Sequence, residues 1–530
     1  MALPAALVPL RNSVFRTLWG AGVIAWLGMW LQNTGAGWLM TTLAPDPLIV
    51  SMVQAATIMP VFLLAIPGGA MADIVDRRIF LIGCQIWTCA AAALLAILTL
   101  SGAMTAPWLL ILTFAIGIGS ALNNPAWSAV VPELVPREDL VQAIALNGIG
   151  FNLTRAVGPA LAGFLILLGG PSLAFSLYAV SILVVIVSLV TWRRNARHFT
   201  GLPREHFLSA MRAGMRFVRN TPAIRSAMMR TIAYSIPCAA PWGLLPLFVR
   251  QELGLGAGMY GVILGAMGAG GVASGMLLPM FRARFSRGQT VLMCTLSSCA
   301  GMALLSLAHH WTLAAFGMLL FGIGWTSAYA TMQAAAQLVC PPWVRARGLS
   351  IYQLAQNGAL TVGSFGWGWL AVHIGMPVTL AIAAGVGAAL AFGALGFRIE
   401  AFVPAAAPAR SENALMPEAP AAELVPLLRN ARGRVMETAH YMVTSAEREA
   451  FMGIMREVRL LRGRTGAQFW QLYENVAHPE GWVEIWSMES WTDHLREAGR
   501  LSDTDRAVLA RAANYQHEAN RPARYLAADP

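Results

Sequence analysis

The chain has 530 residues, 57% of them hydrophobic and 12% charged, with a formal net charge of +11. That composition is too apolar for a water-soluble chain of this length, so the bilayer is the solvent for most of it. The basic excess is all arginine, and its spread over alternate loops points to membrane topology and away from nucleic acid.

A crossing needs about 20 mainly apolar residues to span about 30 Å of hydrocarbon. Residues 14–398 divide at turns and charged breaks into twelve such stretches, near 14–42, 48–72, 79–101, 106–131, 140–168, 172–192, 224–250, 258–281, 289–308, 312–338, 346–373 and 377–397. Arginine marks every second turn: Arg11 and Arg16, Arg77 and Arg78, Arg137, a run from Arg193 to Arg219, Arg282 to Arg287, Arg345 and Arg347, then Arg398. The opposite loops hold only Arg250. The positive-inside rule then puts both termini and the long central loop in the cytoplasm. The first residues have no charged stretch ahead of an apolar core and a small-residue cleavage site, so the first span itself is expected to target the membrane.

The expected fold is an all-α polytopic membrane protein of twelve transmembrane helices in two six-helix halves, 1–192 and 224–398, with a small C-terminal α+β domain. Residues 193–223 join the halves as a basic amphipathic linker, in which Phe207, Leu208, Met211, Met215 and Phe217 alternate with arginines. Such a stretch is expected to lie along the inner membrane surface. Residues 399–425, rich in Ala, Pro and Glu, read as a linker. The soluble domain, 426–530, reads as strand (434–443), helix (445–461), strands (467–476 and 482–488), helices (491–499 and 503–514) and a last strand (523–526). Alternation of Val435, Glu437, Ala439, Tyr441 and Val443 with their neighbours marks a sheet covered on one face, and a ferredoxin-like sandwich fits. The six cysteines, Cys84, Cys89, Cys238, Cys294, Cys299 and Cys340, fall in or at the ends of spans and read as small core residues.

A repeat at an offset of 205 positions organises the helical part. Asn152 to Leu165 superimposes on Asn357 to Leu370, matching Gly158 with Gly363 and Gly163 with Gly368. Gly117 and Gly119 fall on Gly322 and Gly324, and Gly69 falls within one position of Gly275. Two related apolar halves are what alternating access requires, because a site between them faces either side as one half rocks against the other. Charges are not repeated: Arg155 falls opposite Leu360, Pro159 opposite Ser364, and Asp73 near Pro279.

Arg155 sits near the middle of its span, where a cation is costly and marks a functional site by default. The structural alternative is that it bonds to backbone carbonyls and Asn152; Arg230 is a similar, shallower case. Up to residue 400 the carboxylates Asp46, Asp73, Asp76, Glu133, Glu138, Asp139, Glu205, Glu252 and Glu400 all fall at loops or helix ends, so none is placed to carry a proton through the midplane. Substrate or coupling candidates are Arg155, Asn152 and Arg230, with Gln32, Asn33, Asn123, Asn124, Tyr234 and Gln333 on the first, fourth, seventh and tenth spans beside Trp30 and Trp325. Aromatics with a few amides suit a bulky amphipathic substrate.

The stretch Gly69-Ala-Met-Ala-Asp73-Ile-Val-Asp76-Arg77-Arg78 resembles the signature loop of the major facilitator superfamily, G-x-x-x-D-R-x-G-R-K, and departs from it at Ile74 and Asp76. Arg155, Gly158-Pro159 and Gly163 partly resemble the Gly-Pro motif of that superfamily's drug antiporters. With Asn123-Asn124-Pro125-Ala126 and the run from Val131 to Pro136, residues 10–398 resemble the superfamily's transmembrane secretion effector branch, the enterobactin exporter-like one. Ser490 to Arg496 is similar to the tail of its longer members and, through it, to the dimeric α+β barrel of antibiotic-biosynthesis monooxygenases. The resemblance implies a multi-pass secondary transporter of the bacterial inner membrane, exporting small amphipathic compounds, siderophore-like or drug-like, against protons. Gly69, Asp73, Asp76, Arg77, Arg78, Gly158, Pro159 and Gly163 would serve gating. Expected partners are the substrate, the proton and the lipid bilayer, without nucleic acid, cofactor or metal. In the tail, His440, His478, His494 and His517 match no metal spacing, and dimerisation is expected ahead of a membrane-tethered enzyme or sensor. Uptake of a small solute is the other transport reading.

Overall fold

The computed structural model describes residues 5–74, 76–192, 207–341, 343–397, 434–516 and 523–526. They fall into two compact units: Met1–Leu202, Ala227–Ala334 and Tyr352–Glu400 form one, and Pro203–Ser226, Ala335–Ile351 and Ala401–Pro530 form the other.

In chain order the long helices are α1 (Ser13–Leu43), α2 (Pro47–Ile74), α3 (Arg77–Leu100), α4 (Ala106–Leu134), α5 (Leu140–Thr191), α6 (Phe207–Asn220), α7 (Pro222–Gln251), α8 (Ala257–Arg284), α9 (Arg287–Ser306), α10 (Trp311–Val339), α11 (Arg345–Ile374) and α12 (Met376–Gly393). Ten helices among the described residues are long and apolar enough to cross a membrane. One of them, α5, runs for 52 residues, but its path leaves the helical region at Gly169 and Gly170, just before Pro171. Gly170 has φ 70°, a conformation that glycine adopts without the Cβ clash other residues suffer. The break stands between the two spans expected at 140–168 and 172–192. The helix α11 is 30 residues long and more polar, with Gln353, Gln356 and Asn357 inside it. Ile79, Ile86, Ile97 and Leu100 on α3, and Leu167, Val180 and Val187 on α5, are exposed, the outward apolar face that a lipid solvent requires.

Helix ends show where several loop residues go. Asp76 caps α3 by accepting from the N–H groups of Arg78 (2.9 Å) and Ile79 (3.2 Å), and in the second half Ser286 caps α9 with a capping box to Gln289. Arg78 donates to the carbonyls of Leu189 (2.9 Å) and Val190 (2.6 Å) at the end of α5. Arg230 of α7 does the same for Phe397 (2.7 Å) and Leu395 (3.4 Å) beyond α12. Both arginines thus satisfy orphan carbonyls at helix C-termini.

The repeated glycines make repeated contacts. A Cβ on Gly163 of α5 would lie 2.6 Å from Gly261 Cα and 2.9 Å from the Ala257 carbonyl of α8, and one on Gly368 of α11 would strike Ser51 and Leu48 of α2. Gly158 packs on Trp30 of α1, and its counterpart Gly363 packs on Ile236 and Ala239 of α7. Gly119 meets Thr88 and Cys84 of α3, and Gly324 meets Ser298 and Cys294 of α9. The offset read in the sequence is therefore an offset in contacts, and it includes the two crossings, α5 on α8 and α2 on α11, that join the halves.

The second unit contains a four-stranded antiparallel sheet of β1 (Val435–Met442), β2 (Phe469–Glu474), β3 (Gly481–Met488) and β4 (Ala523–Leu526), ordered β2-β3-β1-β4. Helices α13 (Arg448–Thr465), α14 (Trp491–Arg500) and α15 (Asp503–Ala513) complete it. Phe451, Met455, Val458 and Leu461 of α13 and Val508 and Ala512 of α15 form one core with Ala439, Tyr441, Trp482, Trp486 and Met488 of the sheet. The sheet's other face carries exposed Met436, Met442, Phe469, Tyr473 and Tyr525.

The amphipathic helix α6 belongs to this unit, which corrects the expectation that its apolar side lies on the membrane. Ala213, Phe217 and Val218 are buried, with Phe217 edge-on to Trp343, ring centroids 6.0 Å apart. Arg212 and Arg216 face Glu489 at 3.1 and 3.8 Å. Burial pushes the Arg216 guanidinium down and Glu489 pushes it back up. Trp343 in turn donates from Nε1 to the Arg500 carbonyl (3.1 Å) and lies under the Arg500 guanidinium. The linker 399–425 lies outside the described residues.

Two outcomes follow. Gly163→Leu drives a side chain into the α8 backbone and should destabilise detergent-solubilised protein by about 1–3 kcal/mol, whereas Gly148→Leu, on the same helix with open space around it, leaves thermal unfolding unchanged; equal effects would refute the close contact. Glu489→Arg should raise hydrogen exchange across α6, and the swap Arg216→Glu with Glu489→Arg should recover part of the protection.

Candidate functional site

Between the halves lies a cavity of about 170 Å³ whose walls come from α1 and α2 on one side and α7, α8 and α10 on the other. Asn33 is in its lining, with Trp30, Thr34, Gln54, Trp242 and Tyr260. Three polar atoms of this lining, Trp30 Nε1, Trp242 Nε1 and Thr34 Oγ1, are buried without a hydrogen-bond partner. A buried donor left unmade costs about 1–3 kcal/mol, so two indole N–H groups and a hydroxyl on residues of one cavity wall are unspent polar groups beside it. The cavity is smaller than the about 300–1,000 Å³ usual for ligand sites; a bulky ligand requires the halves to part.

An aromatic row extends from it. Trp30 and Trp242 are near-parallel with centroids 6.4 Å apart, Trp242 meets Trp325 at 5.5 Å, and Trp325 meets Tyr329 at 4.4 Å and Tyr234 at 6.0 Å. Tyr234 and Tyr329 are tied by hydroxyl bonds to Ser298 (2.8 Å) and Ser235 (2.6 Å).

Arg155 crosses the interface. Its Nη2 donates to Thr326 Oγ1 of α10, and Gly271 of α8 leaves it room, since a Cβ there would lie 3.4 Å from Nη2. A second crossing stands at the other end of α7, where Arg250 donates to Thr41 (3.0 Å) and Thr42 at the end of α1, and Gln251 to the Pro45 carbonyl (3.3 Å). Arg250 also sits over Trp38, which stacks on Tyr260. Sequence reasoning did not name Arg250 as a site residue, although it was the exception to the alternating arginine pattern, and that exception was the available signal.

The other candidates separate. Asn152 is exposed and donates to the Gly148 carbonyl of its own helix (2.9 Å), so it does not meet Arg155's partner. Gln32 is buried with Nε2 unpartnered outside the cavity lining. Asn123 accepts from Gln85 (3.1 Å), Asn124 is exposed, and Gln333 is half-buried on α10. Arg230, beside Tyr234 at a second small cavity, is spent on helix-end carbonyls, as are Asp76 and Arg78 on helix termini. Arg77 is half-buried at the start of α3. Gly69 and the Asp73 side chain lie outside the described side chains. Pro159 is buried, its carbonyl 3.0 Å from where a Cβ on Gly261 would stand.

Long apolar helices in contact through glycines, enclosing an aromatic cavity and bridged by arginines, fit a transporter of the major facilitator type. The chain matches the family described as transmembrane secretion effector over residues 4–527 and belongs to it. It is 30% identical to the staphyloferrin A transporter of Staphylococcus aureus over 146 residues, 27% of this chain and 36% of that protein. It is 28% identical to the enterobactin exporter EntS of Shigella boydii over 220 residues, 41% of this chain and 50% of that protein. The chain thus spans half or less of the length of these curated relatives. Among solved structures, a bacterial homolog of the human lysosomal transporter Spinster, inward-facing and unoccupied, matches with TM-score 0.57 and 15% identity, covering 75% of this chain and 98% of that one; at that identity the likeness shows the fold alone.

Removing one crossing should change the balance between states. Arg250→Ala is expected to increase labelling of a cysteine placed at Ala44, whose side chain takes no part in the bridge, by about tenfold, the equivalent of losing one hydrogen bond to a charged group at about 1.5 kcal/mol. Unchanged labelling would mean that this bridge does not hold the halves together.

Proposed function

We propose that the chain is a twelve-crossing alternating-access exporter of small amphipathic compounds, siderophore-like or drug-like, in the bacterial inner membrane, driven by the proton gradient. The observation that carries this reading is the cavity between α1–α2 and α7–α8–α10, with three buried polar atoms free to bind. Splitting α5 at Gly169 and Gly170 and counting α11 supplies the twelve crossings, which with the arginine pattern leaves both termini in the cytoplasm. On that topology Arg250 and the end of α1 lie at the outer face, and their bonds close it.

The names of the relatives, a staphyloferrin A transporter and an enterobactin exporter, supply the substrate class, and indole N–H groups recognise acceptors. The driving ion follows from the superfamily. Asp46 is engaged in capping α2, accepting from Leu48 and Ile49, so the exposed Glu252 at the end of α7 is the carboxylate at hand for coupling. Uptake differs only in direction. The tail reads as a ferredoxin-like module dimerising through its exposed sheet face, Met436, Met442, Phe469, Tyr473 and Tyr525, a patch that water does not favour.

Inverted vesicles decide the matter. With an imposed proton gradient, labelled enterobactin or staphyloferrin A should accumulate in vesicles carrying the protein, and Trp30→Ala, Trp242→Ala and Arg155→Ala should each reduce the rate about tenfold or more, since each removes over about 1.4 kcal/mol of binding or gating energy. Accumulation equal to that of empty vesicles across a broad panel would overturn the export reading; equal rates in all variants would overturn the site.

A further inference from the structure

The tail holds an unusually charged interior. Glu437, Glu484, Arg462, His494 and Glu497 are all at least nine-tenths buried. Glu484 is fully satisfied: it accepts from Tyr441 Oη (2.7 Å), Arg462 Nε (3.0 Å) and Trp470 Nε1 (2.9 Å). Burial alone would lower the Arg462 guanidinium, but Glu484 and Glu497 outweigh it and hold it above its usual value. The other two carboxylates behave differently. Glu497 gives Oε1 to Arg462 (2.8 Å) and turns Oε2 toward His494 Nδ1, 4.0 Å away. Glu437 gives Oε2 to Arg524 (3.8 Å) and places Oε1 against the same Nδ1. Neither Glu437 Oε1 nor His494 Nδ1 makes a hydrogen bond.

We propose that Glu437, His494 and Glu497 form a binding site for one first-row divalent transition-metal ion. Each residue offers one donor atom, and the three atoms lie within 4.8 Å of one another. His494 and Glu497 are three apart on α14 and so share a face, and Glu437 projects from the helix-covered face of β1 opposite Trp486. Glu497 Oε2 and His494 Nδ1, 4.0 Å apart, fit within two metal–ligand bonds of about 2.0–2.2 Å each, and Glu437 Oε1, now against Nδ1, has to draw back from it to make the third. Arg462 donates to the outward oxygen of Glu497 and Arg524 Nε stands 3.8 Å from that of Glu437, which leaves the inward oxygens toward His494, an outer-shell arrangement of the kind that orients metal ligands. One imidazole with two carboxylates suits Zn²⁺, Fe²⁺ or Mn²⁺ over a soft ion or Ca²⁺. The remaining coordination positions would be open to water or a ligand.

The test uses full-length protein purified in detergent, stripped by a chelator and desalted after exposure to Zn²⁺, Mn²⁺ or, without oxygen, Fe²⁺. One equivalent of at least one metal per chain is expected by mass spectrometry. Glu437→Gln, His494→Gln and Glu497→Gln should each retain less than about a tenth of it, while His478→Gln, on an exposed turn, retains it all. Arg524→Gln, a positioning change, should weaken affinity about 10- to 100-fold. Should a buried variant fail to fold, Co²⁺ added to the wild type decides alone: ligand-field absorption that develops to one equivalent and is displaced by Zn²⁺ supports the site. No bound metal and no Co²⁺ spectrum in the wild type would overturn it.

Discussion

The helical unit depends on the approach of two backbones. In a solvent of lipid tails, apolar side chains gain little by leaving their surroundings, so helices associate through close packing. Gly163 against Gly261 is that contact between α5 and α8, and Gly268 beside Ala156 extends it along the same pair of helices. Any Cβ at Gly163 would push α5 off α8 and with it the cavity walls and the reach of Arg155 to Thr326. Because the contact holds few polar bonds, it can slide and reform, which is what a rocking interface needs.

That interface was legible in the sequence for a physical reason. Glycines at helix crossings tolerate no substitution by size, so a duplicated chain keeps them in step, and Gly158, Gly163, Gly117 and Gly119 recur at their offset. The charged residues were less legible. Asp76, Arg78 and Arg230 read as latch or substrate residues because charge near a membrane is costly wherever it stands, yet they close helix ends, a task that depends on where neighbouring helices stop. The spacing of a single chain does not encode that. Asn152, three residues before Arg155, is exposed and spends its amide on the Gly148 carbonyl of its own helix.

The amphipathic linker shows the same limit. Phe207 to Arg219 offers an apolar stripe and a basic face, and both a membrane surface and a protein surface answer that pattern. What favours the protein is particular: Trp343 gives Phe217 an edge-on partner, and Glu489 sits where Arg212 and Arg216 can reach it. In chain order α6 follows the first half and precedes the second, while Trp343 stands between α10 and α11. The tail therefore holds together two cytoplasmic connections on the proposed topology, one between the halves and one within the second.

Cavity and tail differ in how their polar groups are completed. In the tail, Glu484 has three donors and shares Arg462 with Glu497, while Glu437 Oε1 and His494 Nδ1, like Trp486 Nε1 and Thr438 Oγ1, make no hydrogen bond. In the cavity, Trp30, Thr34 and Trp242 have no partners, and no charged side chain stands among the lining residues. A transporter must release what it binds, and neutral donors on aromatic rings hold a ligand by many small contributions that are lost together. A charged lining would hold such a ligand more tightly in one state than in the other, unless the charge were itself neutralised during the cycle. Keeping the arginines at the two crossings, Arg155 on Thr326 and Arg250 on the end of α1, separates the work of holding the halves from that of holding the substrate.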